Sequence, residues 1–94
     1  MARRIIDKIR NAIRTGNYDL TYHSVEEMAE DNLDIYDIEH AVSDGKIAKQ
    51  EFDGVRGLKY VIHGQAKDEI TPVGIVGRFK ETGIFLIITV YEIT

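Results

Sequence analysis

The hydrophobic period of this 94-residue chain changes once, at Gly45. Before that glycine, apolar residues recur every three or four positions, which is the spacing of one helix face. After it they alternate, which is the spacing of strands with one buried side. Helices first and strands second is the order of an α+β domain. The sequence therefore predicts two to three N-terminal helices packed on one face of a four-stranded antiparallel β-meander. Ninety-four residues form a single domain over 1–94, because hydrophobic cores rarely divide at this size.

Ile5, Ile9 and Ile13, with Ile6 and Ala12 beside them, give the first helix its apolar stripe, and Gly16 stands where a C-terminal cap belongs. Asn17 to Tyr22 reads as a connector or a short extended piece. The second helix starts near Thr21–Ser24, with Ser24 and Glu27 at capping-box spacing and Thr21 as a competing cap. Val25, Met28 and Ala29 are its expected inner face. Asp34 caps a third helix that buries Ile35, Ile38, Ala41 and Val42 and stops at Gly45. The strands expected after it are 46–52, 58–63, 73–80 and 84–91. Gly64 to Thr71 reads as a polar loop, and Pro72 as a strand entry.

The last hairpin can be assigned a register from burial alone. On the final strand Ile84, Leu86, Ile88 and Val90 make one aliphatic face, and Phe85, Ile87, Thr89 and Tyr91 the other. A two-residue turn at Thr82-Gly83 sets odd residues beside even ones and joins Val73, Ile75 and Phe79 to the aliphatic face. That face then covers the helices. Arg78 falls with Thr89 and Tyr91 on the opposite, mixed face, where extra apolar residues suggest a groove, a partner or a homodimer contact.

Charge is distributed unevenly. Residues 1–14 hold five Arg or Lys against one Asp, whereas 19–44 hold nine acids and no Lys or Arg. Concentrated positive potential attracts a phosphate backbone, so the acidic middle reads either as a solvated helical face or as a docking surface for a basic partner. Cysteine is absent, which removes disulfides and thiolate metal sites and fits a reducing compartment. The opening Met1 to Arg4 leads into no apolar leader region, and the longest apolar run, Ile84 to Ile88, is far too short to span a bilayer. The expected setting is soluble and cytoplasmic, with no membrane partner.

Three residues carry the chemistry that the chain suggests. His23, near Tyr22 at the start of the second helix, is the side chain suited to proton transfer near neutral pH. Arg78 can stabilise developing negative charge, and Tyr91 can position a phosphate or donate a proton. Together they suit metal-independent cleavage of RNA through its own 2′-hydroxyl. Each also has a purely structural reading, as a cap or a packing residue. His23 with Glu26 or Glu27 has the spacing of two ligands on one helix face, but nothing in the sequence converges His40 or His63 on them. No metal and no cofactor are expected, and no phosphate-cradling or serine-nucleophile motif appears.

A resemblance adds to this. Gly16 to His23 (GNYDLTYH), Met28, Asp37-Ile38-Glu39, Gly45-Lys46-Ile47, Gly77-Arg78 and Ile88 to Tyr91 resemble, in order and over nearly the whole chain, a bacterial family of small domains of unknown function, number 4258. That family is similar to RelE-like and BrnT-like toxins, which pack N-terminal helices on a curled antiparallel sheet and cut messenger RNA. The resemblance implies that fold, with catalytic roles at His23, Arg78 and Tyr91. It also implies a substrate contact at Thr89, and Tyr22 and Lys80 are read as further substrate-binding residues. RNA would be the substrate and an antitoxin-type protein a partner. One departure opposes this. Where the family commonly carries two arginines, this chain has Glu27 and Asp31, and each swap reverses a charge. Two readings follow: a toxin-like, metal-independent ribonuclease, or a non-catalytic interaction module that uses the acidic helices or the mixed sheet face.

Overall fold

The computed structural model describes residues 4–94. The opening stretch on which the leader was judged, Met1 to Arg3, lies outside them. Three helices and five strands follow in the order α1 (Ile5–Arg14), β1 (Tyr18–Leu20), α2 (Tyr22–Glu30), α3 (Ile35–Asp44), β2 (Lys46–Phe52), β3 (Leu58–Gln65), β4 (Pro72–Phe79) and β5 (Phe85–Glu92). A short 3-10 turn, Gly54–Arg56, joins β2 to β3. Among the described residues, no helix is long and apolar enough to cross a membrane.

The helix ends follow from local chemistry. After α1 the chain enters Gly16 at φ 77°, and the Gly16 and Asn17 amides return to the carbonyls of Ile13 and Ala12. Glycine adopts that left-handed conformation without a Cβ penalty. Asp34 and Asp37 form a reciprocal capping box on α3, which buries Ile38, Ala41 and Val42 as expected. On α2 the competing cap prevails: the Thr21 hydroxyl accepts from the Ser24 amide at 3.1 Å. Ser24 and Met28 face the core, whereas Val25 is 47% exposed and Ala29 is exposed too. The expected Ser24–Glu27 box is not made: with Thr21 as cap, Ser24 lies inside the first turn and its hydroxyl donates to the Thr21 carbonyl at 2.8 Å, while Glu27 reaches β5.

The sheet is five-stranded and mixed, in the order β1-β5-β4-β3-β2. Strands β2 to β5 form the expected antiparallel meander. The four-stranded expectation is corrected by β1, which pairs parallel to β5 from Tyr18↔Phe85 to Leu20↔Ile87. The stretch read as a connector or a short extended piece is thus a short strand, and it covers part of what would have been an open edge.

The last hairpin also departs from expectation. Its turn has three residues, Glu81 to Gly83, closed by Lys80 N–H to Ile84 O at 2.8 Å with Gly83 at φ 89°. Phe79 therefore faces Phe85 and Arg78 faces Leu86, and a shift at Val76/Gly77 leaves Ile88 as an extra residue. Beyond it Val76 faces Thr89, Ile75 faces Val90 and Gly74 faces Tyr91. The bulge exchanges the faces of β5 part-way along its length. Phe85, Ile87 and Val90 are fully buried, so of the expected inner face Ile84, Leu86, Ile88 and Val90 only Val90, beyond the bulge, lies in the core. These three join Val73, Ile75, Tyr60 and Ile62 under Ile9, Ile13, Ile38 and Val42 of α1 and α3.

Close approach of helix to sheet depends on two glycines. A Cβ on either Gly45 or Gly64 would overlap the Ala41 carbonyl of α3. The loop after Gly64 is held to the same helix. The His40 ring bonds the Gln65 carbonyl at 2.9 Å and lies 3.4 Å from a Glu69 carboxylate oxygen. The hydrogen bond to Gln65, then Glu69, raises the imidazole above its ordinary 6.5. Its stabilising contribution is complete below that ordinary value and lost as pH rises through the folded one. His40→Ala should therefore lower the melting temperature more at about pH 5 than at about pH 8, as measured by thermal denaturation of both proteins. Within the loop, Asp68 accepts from the Thr71 hydroxyl and from the Thr71 and Ile70 amides, which lowers its carboxyl to about 2.

Candidate functional site

With α1 and α3 on one face, the opposite face of the sheet is open, and strand pairing arranges its side chains in rows. One row reads Lys46, His63, Gly74, Tyr91. The next reads Lys49, Val61, Val76, Thr89. Towards the hairpin turn, Glu51 faces Lys59 across β2–β3, and Arg78, Leu86 and Asp19 align across β4, β5 and β1. Lys80, two residues beyond Arg78, reaches Asp19 at 3.0 Å.

The face is thus cationic. Lys46, Lys49, Lys59, Arg78 and Lys80 stand there against the acids Glu51 and Asp19 alone. Glu51 lies between Lys49 at 3.0 Å and Lys59 at 3.5 Å, and Lys49 above all lowers its carboxyl. Among the described residues, Arg78 and Lys46 have no acidic partner. Arg78 is half-buried, so its charge is partly shielded from water and little compensated.

Arg78, Thr89 and Tyr91 share this face as expected, although the bulge rather than a two-residue turn sets them there. Phe85 and Ile87, expected beside them, are in the core. The Tyr91 ring lies flat over Gly74, where any Cβ would overlap it, with the phenolic oxygen 2.6 Å from that Cβ position. Gly74 also faces His63, so the ring extends from β5 across β4 in the direction of His63.

His23 lies on the far side of β5, on α2. Its Nε2 is 3.3 Å from Glu27 Oε1, and the side chain is 68% exposed. The same oxygen accepts from the Val90 amide at 3.1 Å, and one turn later Asp31 accepts from the Glu92 amide at 2.9 Å. Four helical residues advance about 6 Å, close to the roughly 6.6 Å of two strand residues, so successive carboxylates on α2 meet alternate amides on β5. Thr21 completes the junction. Its amide and hydroxyl donate to the Ile87 and Ile88 carbonyls, both at 3.0 Å. Consecutive carbonyls of a regular strand point to opposite edges, and the bulge at Ile88 turns both toward Thr21. The β5 edge is therefore satisfied first by β1 and then by side chains of α2.

This gives a structural role to five of the nine acids between residues 19 and 44. Glu27 and Asp31 complete the sheet edge, Asp34 and Asp37 cap α3, and Asp19 binds Lys80. Tyr22 is 81% exposed, and among the described residues no hydrogen bond joins it to the open face. His63, Lys46, Lys49 and Lys59 were missed by sequence reasoning. The alternation of Lys59, Val61 and His63 against buried Tyr60 and Ile62 was the signal that could have found them.

The clefts lie elsewhere. One of about 370 Å³, between α1 and α3, is lined by Arg10, Arg14, Glu39 and Ser43, and the Arg10 guanidinium is already bonded to the Val42 and Gly45 carbonyls. It closes the C-terminal end of α3.

Fold and site together define a small α+β domain with helices on one face of a mixed sheet and cations on the other. The chain belongs to the family described as Domain of unknown function (DUF4258), whose model matches residues 20–92. No curated protein and no solved structure matches it.

Proposed function

We propose that the open sheet face binds RNA and that the domain is a toxin-like, metal-independent ribonuclease. The observation that carries the reading is the segregation of charge. Five cations occupy the open face, where Lys80 holds Asp19, while Glu27, Asp31, Asp34 and Asp37 of the helices and their caps are bound to backbone amides. A polyanion is drawn to such a face, and the acidic helices oppose its binding elsewhere.

The chemistry needs a base, a charge stabiliser and a donor. His23 takes the proton of a ribose 2′-hydroxyl, and that oxygen attacks the adjacent phosphorus. Arg78 stabilises the charge gathering on the phosphoryl oxygens. Thr89 and Tyr91 hold the phosphate, and the Tyr91 hydroxyl supplies the proton that the departing 5′-oxygen needs. Products are a 2′,3′-cyclic phosphate and a 5′-hydroxyl. The chain from Val90 N–H through Glu27 to His23 supports this role, since a base is effective when a third group orients it. Lys80, bound to Asp19, attracts the backbone at the margin of the face.

The test is incubation of labelled single-stranded RNA with purified protein in a chelator, comparing wild type with His23→Ala and Arg78→Ala. Chelator-resistant cleavage that both substitutions suppress is the expected result. Absence of cleavage, or cleavage unchanged by both, removes the reading and leaves the non-catalytic interaction module.

A further inference from the structure

We propose that β2 is the contact strand of a symmetric homodimer, in which two copies pair their β2 edges antiparallel with Gln50 on the two-fold axis. The two edges of the sheet are treated differently. The β5 side is covered by β1 and then by α2, whereas β2 pairs with β3 on one side only. A strand edge left this way presents a row of backbone donors and acceptors to any second strand.

Next to that edge is an apolar corner which the helices do not reach. Phe52 is 79% exposed, Val55 fully exposed and Leu58 44% exposed, and Phe52 faces Leu58 directly across the ladder. They continue the inner face of the sheet, since Gln50 faces buried Tyr60 one step back. Apolar side chains gathered at an unpaired edge mark a contact surface.

Charge selects the occupant. The register shift between Ile47 and Lys49 leaves Lys49 to Phe52 as the regular part of the edge. With Gln50 on the axis, Lys49 of each copy stands opposite Glu51 of the other, and Phe52 opposite the small side chain of Ala48. Moving the axis one residue back sets Lys49 against Lys49, and one residue forward sets Glu51 against Glu51. Like charges directly opposed are destabilising, and opposite charges are stabilising. Of these three registers, the Gln50-centred one avoids both conflicts. Lysines on an edge deter arbitrary strands, so the same residues that admit a second copy discourage other partners. The resulting sheet would carry both open faces side by side, with Lys46, Lys49 and Lys59 of each copy near the seam.

Light scattering coupled to size exclusion, over a range of loading concentrations, tests this. Wild type is expected to reach twice the 10.7 kDa chain mass. Lys49→Glu alone and Glu51→Lys alone each turn two attractive pairs into repulsive ones, and should weaken dimerisation roughly tenfold or more. An equimolar mixture of the two variants restores complementary pairs at both positions, and should return to dimer mass as a heterodimer. That recovery separates a lost contact from a lost fold. A wild type that stays monomeric overturns the proposal. So do single variants that dimerise undiminished, or a mixture that stays monomeric.

Discussion

Phe85→Ala is expected to cost about 3–5 kcal/mol, whereas Leu86→Ala should cost about 1 kcal/mol. Phe85 is fully buried. Its ring meets that of Phe79 edge-on at 5.1 Å, and it lies against Gly77, where a Cβ would collide with it. Truncation removes the burial of a large aromatic side chain and leaves a cavity between β4, β5 and α1 that rigid neighbours cannot close. Leu86, one residue on, is half-buried on the open face opposite Arg78. The register of a two-residue turn, as expected from the sequence, would give the reverse order of costs. Chemical denaturation of the two variants therefore tests the turn as well as the core.

The second large effect concerns the site. If the domain cleaves RNA, His23→Ala should lower the rate about 10²- to 10⁴-fold, the range for loss of a general acid or base. Arg78→Ala should lower it about 10²- to 10³-fold, as for a lost charge stabiliser. Glu27→Gln is the informative companion. The amide oxygen can still accept from Val90 N–H, so the sheet edge survives, but the negative charge beside His23 is gone. A positioning role predicts an intermediate loss of rate and an altered pH–rate profile with little change in stability. An unchanged profile would leave Glu27 with the sheet edge as its only role.

Much of the fold was legible because local signals agreed. The Ile5, Ile9 and Ile13 stripe, the Asp34 cap and Gly45 located α1 and α3, and alternation gave β2 the bounds it has. Two features were hidden for physical reasons. The run Ile84 to Ile88 is apolar at every position, so it has no alternation to reveal which residues face inward, and an extra residue inside it leaves no trace. Strand β1 has three residues and pairs with a segment over sixty positions away, so its extended character could be suggested locally but its place in the sheet could not.

The site was legible in part for the same reasons. Arg78, Thr89 and Tyr91 were assigned to one face, and they share it. Glu27 and Asp31 were read as a negative surface, whereas their carboxylates meet amides of β5. Side-chain charge is visible in a sequence; a backbone group waiting for it is not. His63 and the lysines of β2 and β3 were passed over because their meaning depends on which strands are neighbours, and that is a property of the sheet order.

The central claim is that RNA meets the open face of the sheet, touching α2 only at His23 and leaving α3 free. Amide chemical-shift mapping during titration with a short single-stranded RNA at low salt tests it most directly. The account predicts shifts at Lys59, Val61, His63, Gly74, Val76, Arg78, Thr89 and Tyr91, fading as salt is raised, with Ile35 to Asp44 undisturbed. Shifts confined to α2 and α3, or none at any ratio of RNA to protein, would contradict it.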